Sequence, residues 1–185
     1  IRVEVADRAL ERISKKENCF AAMVYKKAEG RFDEDSPHIV LHHPSDSGNL
    51  GTILRTALGF GLKNIAIIRP AVDSDDPRVV RASMGAVFRM ALPQITEEEA
   101  LAQCKEKKLM LTVTALNEQA VDIRSADLSN AVAVIGSEGQ GVRKSILDAA
   151  AQSVIIPMQA HCESLNAAIA AAIVMWQMKN GEYGG

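Results

Sequence analysis

The stretch that decides the fold is Val154 to Met178, VIIPMQAHCESLNAAIAAAIVMWQM. It opens as a short apolar strand, Val154-Ile155-Ile156. Pro157 removes a backbone donor and fixes φ, so the strand ends there. A polar turn follows from Gln159 to Glu163. Ser164 then stands where a helix N-cap is expected, ahead of a run made almost wholly of Ala, Ile, Val and Met. A helix apolar on nearly every side must be covered by its own domain or by a second copy. Glu163, Ser164 and Asn166 lie where a buried strand end meets a helix start, a common place for ligand sites in α/β folds.

Upstream the chain repeats this grammar. Apolar runs at 39–43, 64–68, 86–91, 109–115 and 131–135 read as strands. Segments 50–60, 78–83, 97–107 and 142–151 read as helices between them. Gly59 and Gly61 close the first of these helices, and Thr96-Glu97-Glu98-Glu99 has the form of a capping box. The strands are unbroken apolar runs rather than alternating ones, so the expected fold is α/β, a mostly parallel sheet with helices on both faces. Residues 1–35 are mixed, with a weak helical face over Ala6–Lys16, a possible strand at Phe20–Tyr25 and a charged linker. They are expected to be an arm or the tail of a truncated substrate-binding domain, with the main domain at 36–185. The chain begins at Ile1, and a further N-terminal segment is expected.

Composition narrows the classes. Of 185 residues, 48% are hydrophobic and 24% charged, the pattern of a soluble globular protein. Aromatics at 4% argue against an RNA-recognition sheet faced with stacking rings. A net charge of −2 gives no global reason to expect nucleic acid, which leaves RNA affinity to a local patch or another segment. Three cysteines without metal-type spacing suggest a reduced, cytoplasmic compartment. No apolar run reads as a membrane span.

Three stretches carry chemistry. In Asn49-Leu50-Gly51-Thr52-Ile53-Leu54-Arg55, Gly51 permits close backbone approach at a helix start, and Asn49 and Arg55 are candidates for one cleft. The competing reading is a turn Asn and a solvated Arg. In Gly136-Ser137-Glu138-Gly139-Gln140-Gly141, a Gly-rich loop follows a parallel strand, but the glycine order is not that of a dinucleotide fold. Nor does Lys144-Ser145 complete a phosphate-binding loop, because Val142 and Arg143 intervene. Glu138 suits a hydroxyl, an amine or a backbone amide better than a phosphate; an exposed Glu in a tight turn remains the alternative. The third stretch holds Ser164 and Asn166, which equally fit plain helix capping. His42 and His43 show no paired acid or cysteine at ligand spacing and read as bland strand-end histidines. Asp73, Asp75 and Asp76 read as a solvated loop, and Trp176 as core or interface.

Together the stretches resemble the three motifs of the SpoU/TrmH family of SPOUT methyltransferases. NLGTILRTA corresponds to the first at Asn49, Gly51 and Arg55. VIGSEGQGV corresponds to the second at Gly136, Glu138, Gly139 and Gly141. IPMQAHCESLNAAIAAAI corresponds to the third at Ile156, Pro157, Met158, Ser164, Leu165 and Asn166. The resemblance covers about residues 36–180, including RASMGAVF at 81–88. It implies S-adenosylmethionine-dependent methylation of a ribose 2′-hydroxyl in tRNA or rRNA, without a metal. It also implies a C-terminal deep trefoil knot, where alternation alone gives an open doubly wound sheet, and a homodimer with active sites at the interface. By the same resemblance Leu116, Gly136, Gly141, Ile156, Met158, Ser164 and Leu165 would hold the cofactor. Arg55 would act at the reacting hydroxyl, with Asn49, Glu138, Ser164 and Asn166 ordering the site. A guanidinium stays protonated, so Arg55 is expected to grip a phosphate and stabilise a developing alkoxide rather than to take a proton. The alternatives are a SPOUT base methyltransferase and a non-catalytic RNA-binding module that retains the fold.

Overall fold

The structure is a computed structural model and describes residues 4, 7–14, 22, 24–26, 38–115, 117, 119–137, 139–162 and 164–179. Seven strands form one sheet: β1 (His38–His42), β2 (Ile65–Ile68), β3 (Gln94–Ile95), β4 (Met110–Thr114), β5 (Val121–Asp122), β6 (Ala131–Ile135) and β7 (Gln152–Ile155). Their order is β3-β2-β1-β6-β4-β7-β5, and every pairing is parallel. The helices are α1 (Asp7–Ser14), α2 (Ser47–Gly59), α3 (Pro77–Ala82), α4 (Glu97–Glu106), α5 (Lys144–Ala149) and α6 (Ala167–Lys179).

The unbroken apolar strands are explained by the two cores they separate. Ile39, Leu41, Ile65, Ile67, Ala133, Ile135 and Val154 pack with α2, α3 and α6 on one face. Val40, Ala66, Ile68, Leu111, Val113, Val132 and Val134 pack with α4 and α5 on the other. Successive side chains on a strand point to opposite faces, so a strand buried on both sides is apolar at every position.

Helix starts follow side-chain chemistry. Asp46 caps α2 by accepting from the Asn49 N–H at 2.7 Å. Asp76 caps α3, with Pro77 in its first turn. The expected capping box at Thr96 is present: its N–H donates to Glu99 Oε2 at 2.7 Å, and the Glu99 N–H returns to Thr96 Oγ1 at 3.2 Å. At the far end of α2, Gly61 adopts φ +72° and lets the Leu62 N–H reach the Ala57 carbonyl.

Several expectations need correction. The helix expected over 50–60 starts earlier, at Ser47, once Asp46 supplies the cap. The strand expected at Ala86–Ala91 is a 3₁₀ turn, Ala86–Arg89, after two residues at positive φ, Met84 and Gly85. Those two positions coil the chain, so Ala86 and Val87 are buried while Phe88 is exposed. The sheet edge falls instead to β3. The helix expected over 142–151 shortens to α5, and β5 was not anticipated. The possible strand at Phe20–Tyr25 falls partly outside the described residues; Ala22, Val24 and Tyr25 are in no strand. Tyr25 donates its hydroxyl to Asp75 at 2.7 Å and meets the Phe88 ring edge-on.

Ser164 does not cap α6. The cap is Asn166, whose carbonyl accepts from the Ala170 N–H at 2.9 Å. Its side-chain Oδ1 accepts from Ala168 and Ile169 at 2.9 and 3.3 Å. α6 buries Ala168, Ala171, Val174, Met175 and Met178, and leaves Ile169 and Trp176 each 51% exposed. Trp176 is therefore not core within this chain; its ring lies 5.7 Å from that of Phe60. Among the described residues no helix is long and apolar enough to cross a membrane.

Candidate active site

Because all seven strands are parallel, β4, β6 and β7 deliver their C-terminal ends to one edge. A cleft of about 570 Å³ opens there, within the range of small-molecule sites. Thr114, Ala115 and Ile135 form its floor beside Val154 and Ile155, and Gly136, Ser137 and Gly139 to Val142 form one wall. The other wall is the chain that leaves β7, with Ile156, Met158, Ser164, Leu165 and Asn166.

The Gly-rich loop is a tight turn closed on itself. Ser137 donates its N–H to the Gly141 carbonyl at 3.3 Å, and Gly141 returns its own to Ser137 at 3.0 Å. A Cβ on Gly136 would lie 2.5 Å from the Gly141 carbonyl carbon, and Gly141 itself is at φ +64°. These two glycines therefore bring backbone against backbone and line the cleft with peptide groups. Gly51 serves a different contact from the one expected. A Cβ there would sit 2.5 Å from Ala82 Cβ and 2.8 Å from Ser83 N, so Gly51 lets α2 lie against α3.

The first and third stretches meet directly. Asn166 Nδ2 donates to Asn49 Oδ1 at 2.9 Å, across 117 residues of chain. Asn166 thus caps α6 with its oxygen and holds α2 with its nitrogen. Of the expected cofactor residues, Gly136, Gly141, Ile156, Met158, Ser164 and Leu165 all line the cleft; Leu116 and Glu138 lie outside the described residues. Arg55 is exposed, does not line the cleft, and makes no ion pair among the described residues. At about 100° and 1.5 Å per residue, it sits some 120° around α2 from Asn49 and about 9 Å along it. The two do not share one helix face.

Next to the loop, the reading of His42 and His43 as bland must be revised. Their acid comes from another element. Glu97 Oε1 lies 3.3 Å from Nε2 of each histidine and 2.9 Å from Arg143 Nη1. Ser145 Oγ donates to Glu97 Oε2 at 2.7 Å. Burial pushes the Glu97 carboxyl up, but Ser145, the two histidines and Arg143 together hold it below its ordinary value. Burial, and then His43, push His42 down. Glu97 was visible in the sequence only as part of a capping box, and nothing in its spacing pointed 54 residues back to His43.

Comparison with known proteins gives a consistent family. The family described as SpoU rRNA Methylase matches residues 36–176. An uncharacterized tRNA/rRNA methyltransferase of Synechocystis is 30% identical over 146 residues, 78% of this chain and 53% of that protein. A Staphylococcus aureus protein placed in the TrmH family of tRNA/rRNA methyltransferases is 34% identical over 143 residues, 76% and 57% of the two chains. The chain thus spans a little over half the length of these relatives. Among solved structures, an AdoMet-bound rRNA methyltransferase from Sinorhizobium meliloti superposes with a TM-score of 0.82 at 25% identity. That match covers 95% of this chain and 70% of the other. A structure described as an RNA 2′-O ribose methyltransferase gives 0.75 at 29% identity, covering 97% and 71%.

Proposed function

The chain belongs to the SpoU rRNA methylase family, and from that premise we propose that it methylates a ribose 2′-hydroxyl of tRNA or rRNA, with S-adenosylmethionine as donor. The observation that carries this reading is the Asn166–Asn49 hydrogen bond, which ties the first and third motif stretches together at a cleft walled by the second.

The cleft suits such a donor. Ile135, Ile156 and Leu165 offer apolar walls for a purine, and Gly136 and Gly141 leave peptide groups uncovered by side chains for hydrogen bonding. When bound, S-adenosylmethionine supplies an electrophilic methyl group on sulfonium, open to in-line displacement. The chain's own work is alignment and charge. Gly136, Gly141, Ile156, Met158 and Leu165 hold the cofactor, with Leu116 beside Ala115. Ser164 and Asn166 orient it, and Asn49 and Glu138 order the loops around the reacting oxygen. Arg55 grips an RNA phosphate and stabilises the oxyanion as the hydroxyl proton leaves to phosphate or water.

Two architectural readings accompany this. β7 lies between β4 and β5, which are consecutive in sequence, so the chain passes from one side of β7 to the other between them. The chain leaving β7 then returns to α2. That crossing supports a C-terminal trefoil knot whose loops are the cofactor walls. The outer face of α6, with Ile169 and Trp176 beside Phe60, supports a homodimer. In that dimer Arg55, which does not line its own cleft, serves the cleft of the second copy. Residues 36–185 are then the catalytic domain and 1–35 an arm, working in the cytoplasm on RNA.

The test is incubation with methyl-labelled S-adenosylmethionine and total RNA, digestion to nucleosides, and mass spectrometry. A label on ribose supports the reading, and a label on the base assigns the chain to base methylation. Absence of calorimetric cofactor binding returns it to a non-catalytic RNA module. Mixing Arg55→Ala with Ser164→Ala protomers restores activity if Arg55 acts across the dimer.

A further inference from the structure

His42 and His43 adjoin in sequence yet converge in space. On a strand, neighbours face opposite sides of the sheet. His42 follows Val40 onto the α4–α5 face and is 2% exposed. His43 leaves the strand at φ +52°, a left-handed conformation that a non-glycine residue seldom adopts. The twist brings its ring to 4.1 Å from that of His42, so both imidazoles face Glu97 at the start of α4.

Hydrogen bonding fixes which atoms point inward. His43 Nδ1 lies 3.1 Å from the Pro70 carbonyl, which can only accept. Nδ1 therefore donates there, which leaves Nε2 as the ring atom that faces Glu97 Oε1, at 3.3 Å. The remaining carboxylate oxygen is anchored by the Ser145 hydroxyl. A histidine held through its far nitrogen by a carbonyl, and a carboxylate held by a second partner, are the supports that orient metal ligands.

From this geometry we propose that His42 Nε2, His43 Nε2 and Glu97 Oε1 form a site for a divalent transition-metal ion, Zn²⁺ by the nature of its donors. Two imidazoles and one carboxylate are a recurrent zinc set that keeps a fourth position for water. The three ligand atoms all lie within 4.8 Å of one another. Both N–O separations of 3.3 Å match the edge of a tetrahedron with bonds of about 2.0 Å. Arg143, 57% exposed, now rests its guanidinium on Glu97 Oε1 at 2.9 Å. It marks that oxygen as a cation acceptor, and its length lets it swing out to solvent when an ion enters. Arg143 follows Val142 of the cleft wall, so the ion would exchange the Arg143 anchor of that wall for a clip between β1 and α4. The proposal is independent of methyl transfer and departs from the expectation, drawn from the sequence, that no metal is involved.

The test uses the whole 185-residue chain after chelator treatment. Zn²⁺ affinity is read by competition with a chromophoric chelator, and coordination from the visible spectrum of bound Co²⁺. The expected result is one equivalent bound, with tetrahedral Co²⁺ bands free of thiolate charge transfer. Glu97→Gln and His43→Ala should each weaken binding by at least about a hundredfold, since loss of mere supporting groups costs ten- to a hundredfold. Arg143→Ala should bind as tightly as the parent or tighter. Cys162→Ser should leave binding unchanged, excluding the exposed thiol. Each variant's melting temperature is compared with and without Zn²⁺, so a variant that folds less well is judged against itself. Absence of stoichiometric binding overturns the proposal, as does equal binding and an equal Zn²⁺-dependent melting shift in Glu97→Gln. So does the pattern of a plain ion-pair cluster, in which Arg143→Ala lowers the melting temperature and no substitution alters Zn²⁺ binding.

Discussion

Gly136→Ala isolates the closure of the Gly-rich turn. The new Cβ would lie 2.5 Å from the Gly141 carbonyl carbon, 2.8 Å from its Cα and 2.9 Å from its oxygen. Carbon atoms rest at about 3.5–4.0 Å, so backbone must yield by roughly 1 Å. The strand end is the stiffer partner, because β6 is paired on both sides by β1 and β4. The turn therefore moves. A displacement of that size breaks the two bonds between Ser137 and Gly141, now 3.3 and 3.0 Å. At about 0.5–1.5 kcal/mol each, and with about 0.4–1 kcal/mol regained from the stiffer unfolded chain, the net loss spans about 0–2.6 kcal/mol and centres on about 1.3. For a chain of this size the melting temperature should fall by about 2–8 °C. The same displacement moves a wall of the cleft, so S-adenosylmethionine affinity should fall at least about tenfold, or 1.4 kcal/mol. Gly139→Ala is the control. Nothing lies within 4 Å of its Cβ position and its φ is not positive, so stability should stay within about 0.5 kcal/mol. Calorimetric titration and thermal melts of both variants decide the matter. Parent-like binding and melting by Gly136→Ala, or an equal loss in Gly139→Ala, refutes the close-packing argument.

Three other outcomes follow from contacts described above. Asn49→Ala and Asn166→Ala should reduce methyl transfer alike, because both break the same 2.9 Å bond. Only Asn166→Ala should also lose the α6 cap, about 1 kcal/mol in a urea melt. Gly51→Ala should destabilise by about 1–3 kcal/mol, since the contact with Ala82 and Ser83 outweighs the better helix propensity. Gly59→Ala, with open space around it, should gain about 0.4–1 kcal/mol in the same assay. Iodoacetamide at pH 8 should label exposed Cys162 in the native chain, with mass spectrometry as readout. Cys104, whose thiol burial pushes up to about 11, should react only after unfolding.

Local chemistry made much of this molecule readable in advance. Unbroken runs such as Ile39-Val40-Leu41 and Ala131 to Ile135 dictated strands buried on both faces, and so a parallel sheet. Thr96 and Glu99 marked a helix start that the structure keeps. Pro157, just beyond β7, stands where the strand was expected to end. The family resemblance, rather than local chemistry, singled out seven cofactor residues, and six of them line one cleft, while Leu116 lies outside the described residues. The strand expected at Ala86–Ala91 failed because an apolar run does not distinguish a strand from a 3₁₀ turn, and the conformation is set by Met84 and Gly85 before it. Ser164 was favoured over Asn166 because both are good caps; which one caps depends on where the chain leaving β7 meets α2.

The stretch from Val154 to Met178 shows the division. Residues close in the chain set a strand stopped by Pro157, a polar loop and an apolar helix, because those follow from φ restriction, side-chain hydrogen bonding and hydrophobicity within a few residues. Long-range packing set the rest: Asn166 reaches back to Asn49, Gly51 serves α3, and Glu97 meets His42 and His43. Each of those contacts closes a loop of roughly 30 residues or more, and their partners are selected by how the sheet orders its strands. Local pattern carries no record of that order.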